Sequence, residues 1–327
     1  KRVRPALSGV RLFTVTHADH RFEVAGQLHA IDAALAGSVL AEPMPRNTLP
    51  AIAWATARIA RETPDALIGV FSSDHAITDQ AGFLDAWMRA ETAAEEGYIA
   101  LFGMTPTEPA TGYGYIQAGP PMSSDSYAHA NSACRVTRFV EKPDQETARR
   151  FLADGGYYWN GGMFVFRADT LLGLIERHQP AIHGAVARMA ECEREAPAEL
   201  YGSLPDSSID VGILEKTDRV AVVPASIGWS DLGSWEAIYQ QRQKNSDGNV
   251  IKGDVVSVES RNNLLWSDHG TFATIGLHDF AVVQTRDATL VCPREATANL
   301  KDLVARVKES HGALTEMHLT VTRPWGS

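Results

Sequence analysis

Phe139-Val140-Glu141-Lys142-Pro143 closes an apolar run that starts at Val136, and the reading of this stretch decides the fold. A strand here ends abruptly in a carboxylate, an ammonium and a proline. Sixteen residues after Pro143, Trp159 stands within Tyr158-Trp159-Asn160-Gly161-Gly162-Met163-Phe164, an amide-plus-glycine turn feeding a second apolar strand over residues 163–166. Lys142 can meet a phosphate, while Glu141 and Asn160 offer an acceptor and a mixed donor and acceptor for sugar hydroxyls. Gly161 and Gly162 let the backbone come close to a ligand. A strand-end lysine alone is ordinary turn chemistry. The pairing of the two segments is what points to a site.

Outward from this pair, short apolar runs alternate with helical patterns as far as residue 245. Residues 12–16, 67–71, 98–103 and 219–224 read as strands, the second as a continuous apolar run suited to a buried parallel strand. Residues 22–36, 83–96 and 170–190 read as helices. Asn47-Thr48-Leu49-Pro50 starts another, alanine-rich to Arg61, with a polar cap and an early proline. The alternation predicts an α/β fold with a doubly wound, mostly parallel sheet over residues 1–245. From Asn245 the texture changes. Turn residues Ser246-Asp247-Gly248-Asn249 precede short β-rich runs at 255–258, 263–266, 272–275, 280–284 and 289–291. They predict a small all-β appendage over 246–310, a meander or β-helix coils, with a helix at 296–310 and a tail at 311–327.

The length of 327 residues suits two domains. A formal charge of -10 argues against a general nucleic-acid binder, whose affinity comes from clustered Lys and Arg. Cys134, Cys192 and Cys292 are far apart and read as reduced thiols. No apolar run reaches about eighteen residues, so no membrane helix is expected. Residues 1–9 lack the apolar core of a signal peptide, and a cytoplasmic location is expected.

Asp74, in Phe71-Ser72-Ser73-Asp74-His75, stands at the carboxyl end of a buried strand, where open α/β sheets bind ligands. It reads equally as a cap for the helix starting near Thr78. Asp231 holds a similar position after the strand ending at Pro224. Two converging carboxylates make a natural Mg²⁺ site, since Mg²⁺ takes oxygen ligands and shares itself with phosphates. His17 and His20 are three residues apart with no third ligand in sight, which does not make a zinc site.

Together, residues 42–51, 139–143, 158–164 and 228–235 resemble the sugar-1-phosphate nucleotidylyltransferases, and among them the mannose-1-phosphate guanylyltransferases. The resemblance implies Mg²⁺-assisted transfer of GMP from GTP to α-D-mannose 1-phosphate, giving GDP-mannose and pyrophosphate. It puts the metal on Asp74 and Asp231, the sugar phosphate on Lys142, and mannose on Glu141, Asn160 and Gly114. Glu42-Pro43-Met44-Pro45-Arg46-Asn47-Thr48-Leu49-Pro50 resembles the family's guanine-pocket segment. Guanine presents N1–H and N2–H donors, which suit the Glu42 carboxylate or the Pro43 carbonyl. The helix starting near Thr48 points its free N–H groups outward, which suits an anion or a polar base edge. Relatives usually carry glycine before the arginine and alanine after the threonine, where this chain has Pro45 and Leu49. Thr111-Gly112-Tyr113-Gly114-Tyr115-Ile116 resembles the sugar-binding turn. Ser208-Ile209-Asp210 with Leu214-Glu215-Lys216 matches a further segment, Asp210 toward sugar and Lys216 toward phosphate, although such spacing also suits an exposed ion pair. A homodimer is expected by the same analogy.

The pattern breaks at one point. Val3-Arg4-Pro5-Ala6-Leu7-Ser8-Gly9 resembles the family's first strand and the start of its glycine-rich phosphate loop, with Gly9 at the nucleotide. The chain then passes directly to Val10 and a second strand, without the loop, its lysine or a helix. A parallel crossover needs about a dozen residues, so a segment is expected to be missing between 9 and 10. The alternatives are the same chemistry on another sugar 1-phosphate or NTP, and a non-catalytic nucleotide-sugar-binding regulator without the loop. Residues 318–327 resemble the entry to a cupin-type isomerase domain.

Overall fold

In the computed structural model the described residues are 10–122, 132–192 and 194–312, the side chains of 298 and 299 aside. Contacts divide the chain into two units, one including Ile77–Trp229 and the segment before Asp74, the other including Asp74–Ala76 and the segment from Ser230.

The first unit opens with β1 (Thr14–His17), α1 (Arg21–His29) and β2 (Val39–Glu42). β1 and β2 pair in parallel, Thr14 with Val39 through His17 with Glu42. The helix expected over 22–36 stops at His29; Asp32 then caps a 3-10 segment, accepting from the Ala34 N–H at 3.0 Å. There follow α2 (Thr48–Ala60), β3 (Leu67–Val70), α3 (Gln80–Glu95), β4 (Ile99–Met104), β5 (Tyr115–Pro121), β6 (Cys134–Val140), α4 (Gln145–Asp154) and β7 (Tyr157–Arg167). The helix expected at 170–190 is two, α5 (Ala168–His178) and α6 (Pro180–Met189), since proline restricts the residue before it and starts a new helix at its own position. Short helices α7 (Ala198–Gly202) and α8 (Ile209–Gly212) precede β8 (Val220–Ala225).

Six strands form one sheet in the order β3-β7-β4-β8-β6-β5. It is mixed rather than mostly parallel. β4 and β8 run parallel, but β7 lies antiparallel to both β3 and β4, and β6 to both β5 and β8. Periodicity could not foresee this, because a strand buried on both faces reads as a continuous apolar run in either direction.

Alternation assigns the two faces. Ile99, Leu101, Phe164, Phe166, Val220 and Val222 pack with Leu49, Trp54, Leu171, Ile175 and Ile182 of α2, α5 and α6. Their neighbours Ala100, Phe102, Met163, Val165, Ala221 and Val223 pack with Phe83 and Trp87 of α3 and Phe151 of α4. Helices on both faces account for strands without a polar side.

In the second unit, α9 (Trp235–Gln241) leads to β9 (Val250–Val258), β10 (Leu264–Ile275), β11 (Phe280–Gln284) and β12 (Thr289–Pro293), then α10 (Leu300–His311). β9, β10 and β11 are parallel neighbours, with β12 antiparallel at the edge. Successive parallel strands joined by tight turns are β-helix coils, so the meander reading falls away. The runs expected at 263–266 and 272–275 are one strand, interrupted by an irregularity between Trp266 and Thr271. A buried asparagine pair ties the turns together. Asn263 Nδ2 donates to Asn249 Oδ1 at 3.0 Å and to the Leu277 carbonyl at 2.7 Å, and Asn263 Oδ1 accepts from the Phe280 N–H at 2.9 Å.

Candidate active site

The turn after β6 carries Glu141 and Lys142, and the middle of β7 carries Asn160. Lys142 is held at φ 42°, a backbone conformation that side chains other than glycine seldom adopt. Its ammonium lies 2.9 Å from Glu141 Oε1. The hydrogen bond and charge of Glu141 push the Lys142 pKa upward, so the lysine stays cationic.

Just before β5, Gly114 meets the same carboxylate. A Cβ at this position would fall 2.7 Å from Glu141 Oε2, so only glycine leaves Glu141 its place. The Gly114 carbonyl accepts from the Asn160 N–H at 2.8 Å. Asn160 Nδ2 donates to Asp210 Oδ1 at 2.8 Å, and Asn160 Oδ1 accepts from the Gly162 N–H at 3.1 Å. Burial raises the Asp210 pKa and the nearby Glu141 adds to the rise, against the Asn160 hydrogen bond, which lowers it. Gly114, Glu141, Lys142, Asn160 and Asp210 are therefore one cluster, assembled from segments far apart in sequence. Lys216 is exposed at the end of a 3-10 turn, and among the described residues no hydrogen bond or ion pair ties its ammonium to the cluster.

The segment from Glu42 to Thr48 runs from the end of β2 into α2. Asn47 caps α2, accepting from the Thr48 N–H at 3.0 Å, at φ 64° and ψ −166°. That region is nearly confined to glycine, and strain of this kind concentrates where a binding geometry must be held. Arg46 Nη2 donates to the Gly202 carbonyl at 2.5 Å, and Thr48 Oγ1 accepts from the Ile209 N–H at 3.0 Å. Glu42 Oε2 accepts from the Tyr201 hydroxyl at 2.5 Å. No signal along the chain points to Tyr201, which lies 159 residues from its partner. The aromatic contacts of Tyr113 with Trp159 and Trp229, at 5.1 and 5.5 Å, are equally hidden in the sequence.

Asp74 and Asp231 belong to the second unit. Ala76 and Ser230 form an antiparallel bridge through hydrogen bonds of 2.7 and 3.0 Å, which places Asp231 beside the His75 position and one step from Asp74. Asp74 is not the helix cap, because that role falls to Asp79, whose Oδ1 accepts from the Gly82 N–H at 3.0 Å. Asp231 Oδ1 accepts from the Gly233 N–H at 3.1 Å, across a turn in which Leu232 has φ 52°. Among the described residues no group of three or more His, Cys, Asp or Glu side chains could hold a metal ion by itself. Two carboxylates with other positions left to water and phosphate would be the kind of donor set Mg²⁺ takes, since it rarely has an all-protein cage. Gly9, the remaining candidate, lies outside the described residues.

A family model for nucleotidyl transferases matches residues 4–248, and one for the mannose-phosphate isomerase/GMP-like β-helix domain matches residues 253–307. The chain belongs to the nucleotidyl transferase family, in its mannose-1-phosphate guanylyltransferase group. It is 39% identical over 319 residues to the alginate biosynthesis protein AlgA of Pseudomonas putida, covering 96% of this chain and 64% of that protein. It is 37% identical over 329 residues to a mannose-1-phosphate guanylyltransferase of Escherichia coli, covering 98% and 69%. The chain thus spans about two thirds of the length of these curated relatives. A solved structure titled mannose-1-phosphate geranyltransferase, from Thermus thermophilus, aligns with TM-score 0.79 and 30% identity over 94% of this chain and 87% of that one. Among the described residues no helix of this family member is long and apolar enough to cross a membrane.

Proposed function

We propose that the protein transfers GMP from GTP to α-D-mannose 1-phosphate, giving GDP-mannose and pyrophosphate. The observation that carries this reading is the cluster of Lys142, Glu141, Gly114, Asn160 and Asp210, where one fixed cation is surrounded by sugar-hydroxyl partners. Lys142 holds the phosphate of the sugar, and Glu141, Asn160, Asp210 and the Gly114 backbone hold its ring. Lys216 would contact the same phosphate. Glu42, Pro43, Arg46, Asn47 and Thr48 receive the guanine, and Gly9 is assigned to the nucleotide by the family resemblance alone.

The sugar phosphate is already anionic at neutral pH, so no general base is needed. One of its oxygens attacks the α-phosphorus in line; an O–P bond forms there as the bond to the pyrophosphate oxygen breaks. The protein's contribution is positioning and charge. Asp74 and Asp231 would hold Mg²⁺, which supplies neutralisation between two polyanions. We further propose a catalytic domain over 1–245 with a β-rich domain over 246–310, a homodimer, and a cytoplasmic location without nucleic-acid or membrane partners. Pyrophosphate release with GTP and mannose 1-phosphate in Mg²⁺ tests the activity.

A further inference from the structure

The strap from Tyr201 to Asp210 touches both halves of the candidate site. At its far end Asp210 receives the Asn160 amide. Along its length it receives or donates bonds to the Glu42–Leu49 segment. The Tyr201 hydroxyl donates to Glu42 and the Gly202 carbonyl accepts from Arg46, each at 2.5 Å; the Ile209 N–H donates to Thr48 at 3.0 Å, and the Ser207 carbonyl accepts from the Leu49 N–H at 3.1 Å. The Tyr201 ring is fully buried and packs edge-to-face on Trp54 at 6.2 Å.

A phenylalanine would fill this packing position equally well, and a buried phenol hydroxyl is costly unless paired. Its partner is the half-buried carboxylate at the end of β2, just before the chain turns through Pro43 and Pro45. Hydrogen bonds to an ionised acceptor are the stronger kind. The Tyr201 hydroxyl thus restrains the carboxylate at Oε2.

We infer that Tyr201 is a specificity-determining positioning residue, whose hydroxyl fixes the Glu42 carboxylate so that it accepts from the N–H donors of guanine and repels the acceptor nitrogen of adenine. The inference rests on Glu42 being the base-reading group. Tyr201 touches no substrate itself.

The test is equilibrium binding of GTP and of ATP by titration calorimetry in excess Mg²⁺, on the full chain and on Tyr201→Phe, Glu42→Gln and the double variant, each checked for its unfolding temperature. Tyr201→Phe is expected to weaken GTP about tenfold and to leave ATP within about twofold. The double variant is expected to bind GTP no more weakly than Glu42→Gln alone. Glu42→Asp withdraws the carboxylate from hydroxyl and base alike and is expected to weaken GTP at least as much as Tyr201→Phe. If Tyr201→Phe leaves the GTP-to-ATP ratio unchanged while Glu42→Gln collapses it, the Tyr201 role is refuted and base reading by Glu42 stands. If Glu42→Gln also leaves the ratio unchanged, or the parent chain binds both nucleotides equally, the reading of Glu42 fails and the role of Tyr201 falls with it.

Discussion

The Asn160 amide donates to the Asp210 carboxylate at 2.8 Å, joining β7 to the helical turn of α8 across fifty residues of sequence. Burial, then the charge of Glu141, raises the Asp210 pKa above the ordinary carboxylate value. The folded chain therefore keeps a proton on Asp210 at a pH where the unfolded chain has released it. Stability contributed by that protonated form is present below the unfolded carboxylate pKa and is lost as pH rises through the raised folded value. Asp210→Asn cannot ionise, and its amide oxygen still accepts from Asn160. Calorimetry is expected to find it unfolding about 3 °C above the parent at neutral pH and level with it near pH 3. Turnover with mannose 1-phosphate falls about tenfold or more. A stability gain that persists at low pH would mean that the Asp210 charge is not its source.

Among the described residues, Lys142 is the cation fixed inside the sugar-side cluster, by its backbone at φ 42° and by Glu141 at 2.9 Å. Lys142→Met is expected to lower turnover by about 10²–10³, in the range found when a single charge-stabilising donor is lost. Lys142→Arg recovers little, because a planar fork does not replace a compact point charge. Steady-state pyrophosphate release, with circular dichroism to establish the fold, checks both variants.

Most of this site is legible along the chain, and what is not has a physical reason. Glu141 and Lys142 stand at a strand end, where residue type and local punctuation carry the signal; Asn160, expected in a turn, lies instead inside β7, whose strand runs unbroken through Gly161 and Gly162. The buried strands are legible as apolar runs, but their directions are not: β7 inserts antiparallel between β3 and β4, and a two-faced buried strand has no polar side to betray its orientation. The break between α5 and α6 is written in Pro180, although the helical pattern on either side of it reads as one long helix. Asp74 reads equally as a cap or a ligand; the structure gives the cap to Asp79 five residues later. The Tyr201 contact could not be found at all, since nothing local links a helical tyrosine to a strand end 159 residues away.

Gly114 is expected to accept a side chain only if Glu141 shifts. In Gly114→Ala the added Cβ meets Glu141 Oε2 at 2.7 Å and must push the carboxylate away from Lys142. The KM for mannose 1-phosphate rises about tenfold, while the KM for GTP stays within about twofold. Equal rises in both constants would place Gly114 outside sugar binding.

Asp74→Asn and Asp231→Asn keep the size of each side chain, and in Asp231→Asn the new amide oxygen can still accept from the Gly233 N–H. Each variant is expected to need at least about tenfold more Mg²⁺ for half-maximal turnover, with an unfolding temperature close to the parent in metal-free buffer. Asp231→Ala is expected to abolish turnover with little loss of fold. Mg²⁺ titrations of the initial rate, run beside chelator controls, decide this. Unaltered Mg²⁺ dependence in both of the asparagine variants would remove the metal assignment.

The most direct test of the proposed activity is a pyrophosphate-release panel. Four NTPs are set against mannose, glucose and fucose 1-phosphates, with Mg²⁺ and with chelator, using the 327-residue chain. The account predicts release with GTP and mannose 1-phosphate in Mg²⁺, with every other pair at least about tenfold slower. GDP-mannose binding without release from any pair would contradict it, and would make the chain a nucleotide-sugar binder rather than a transferase.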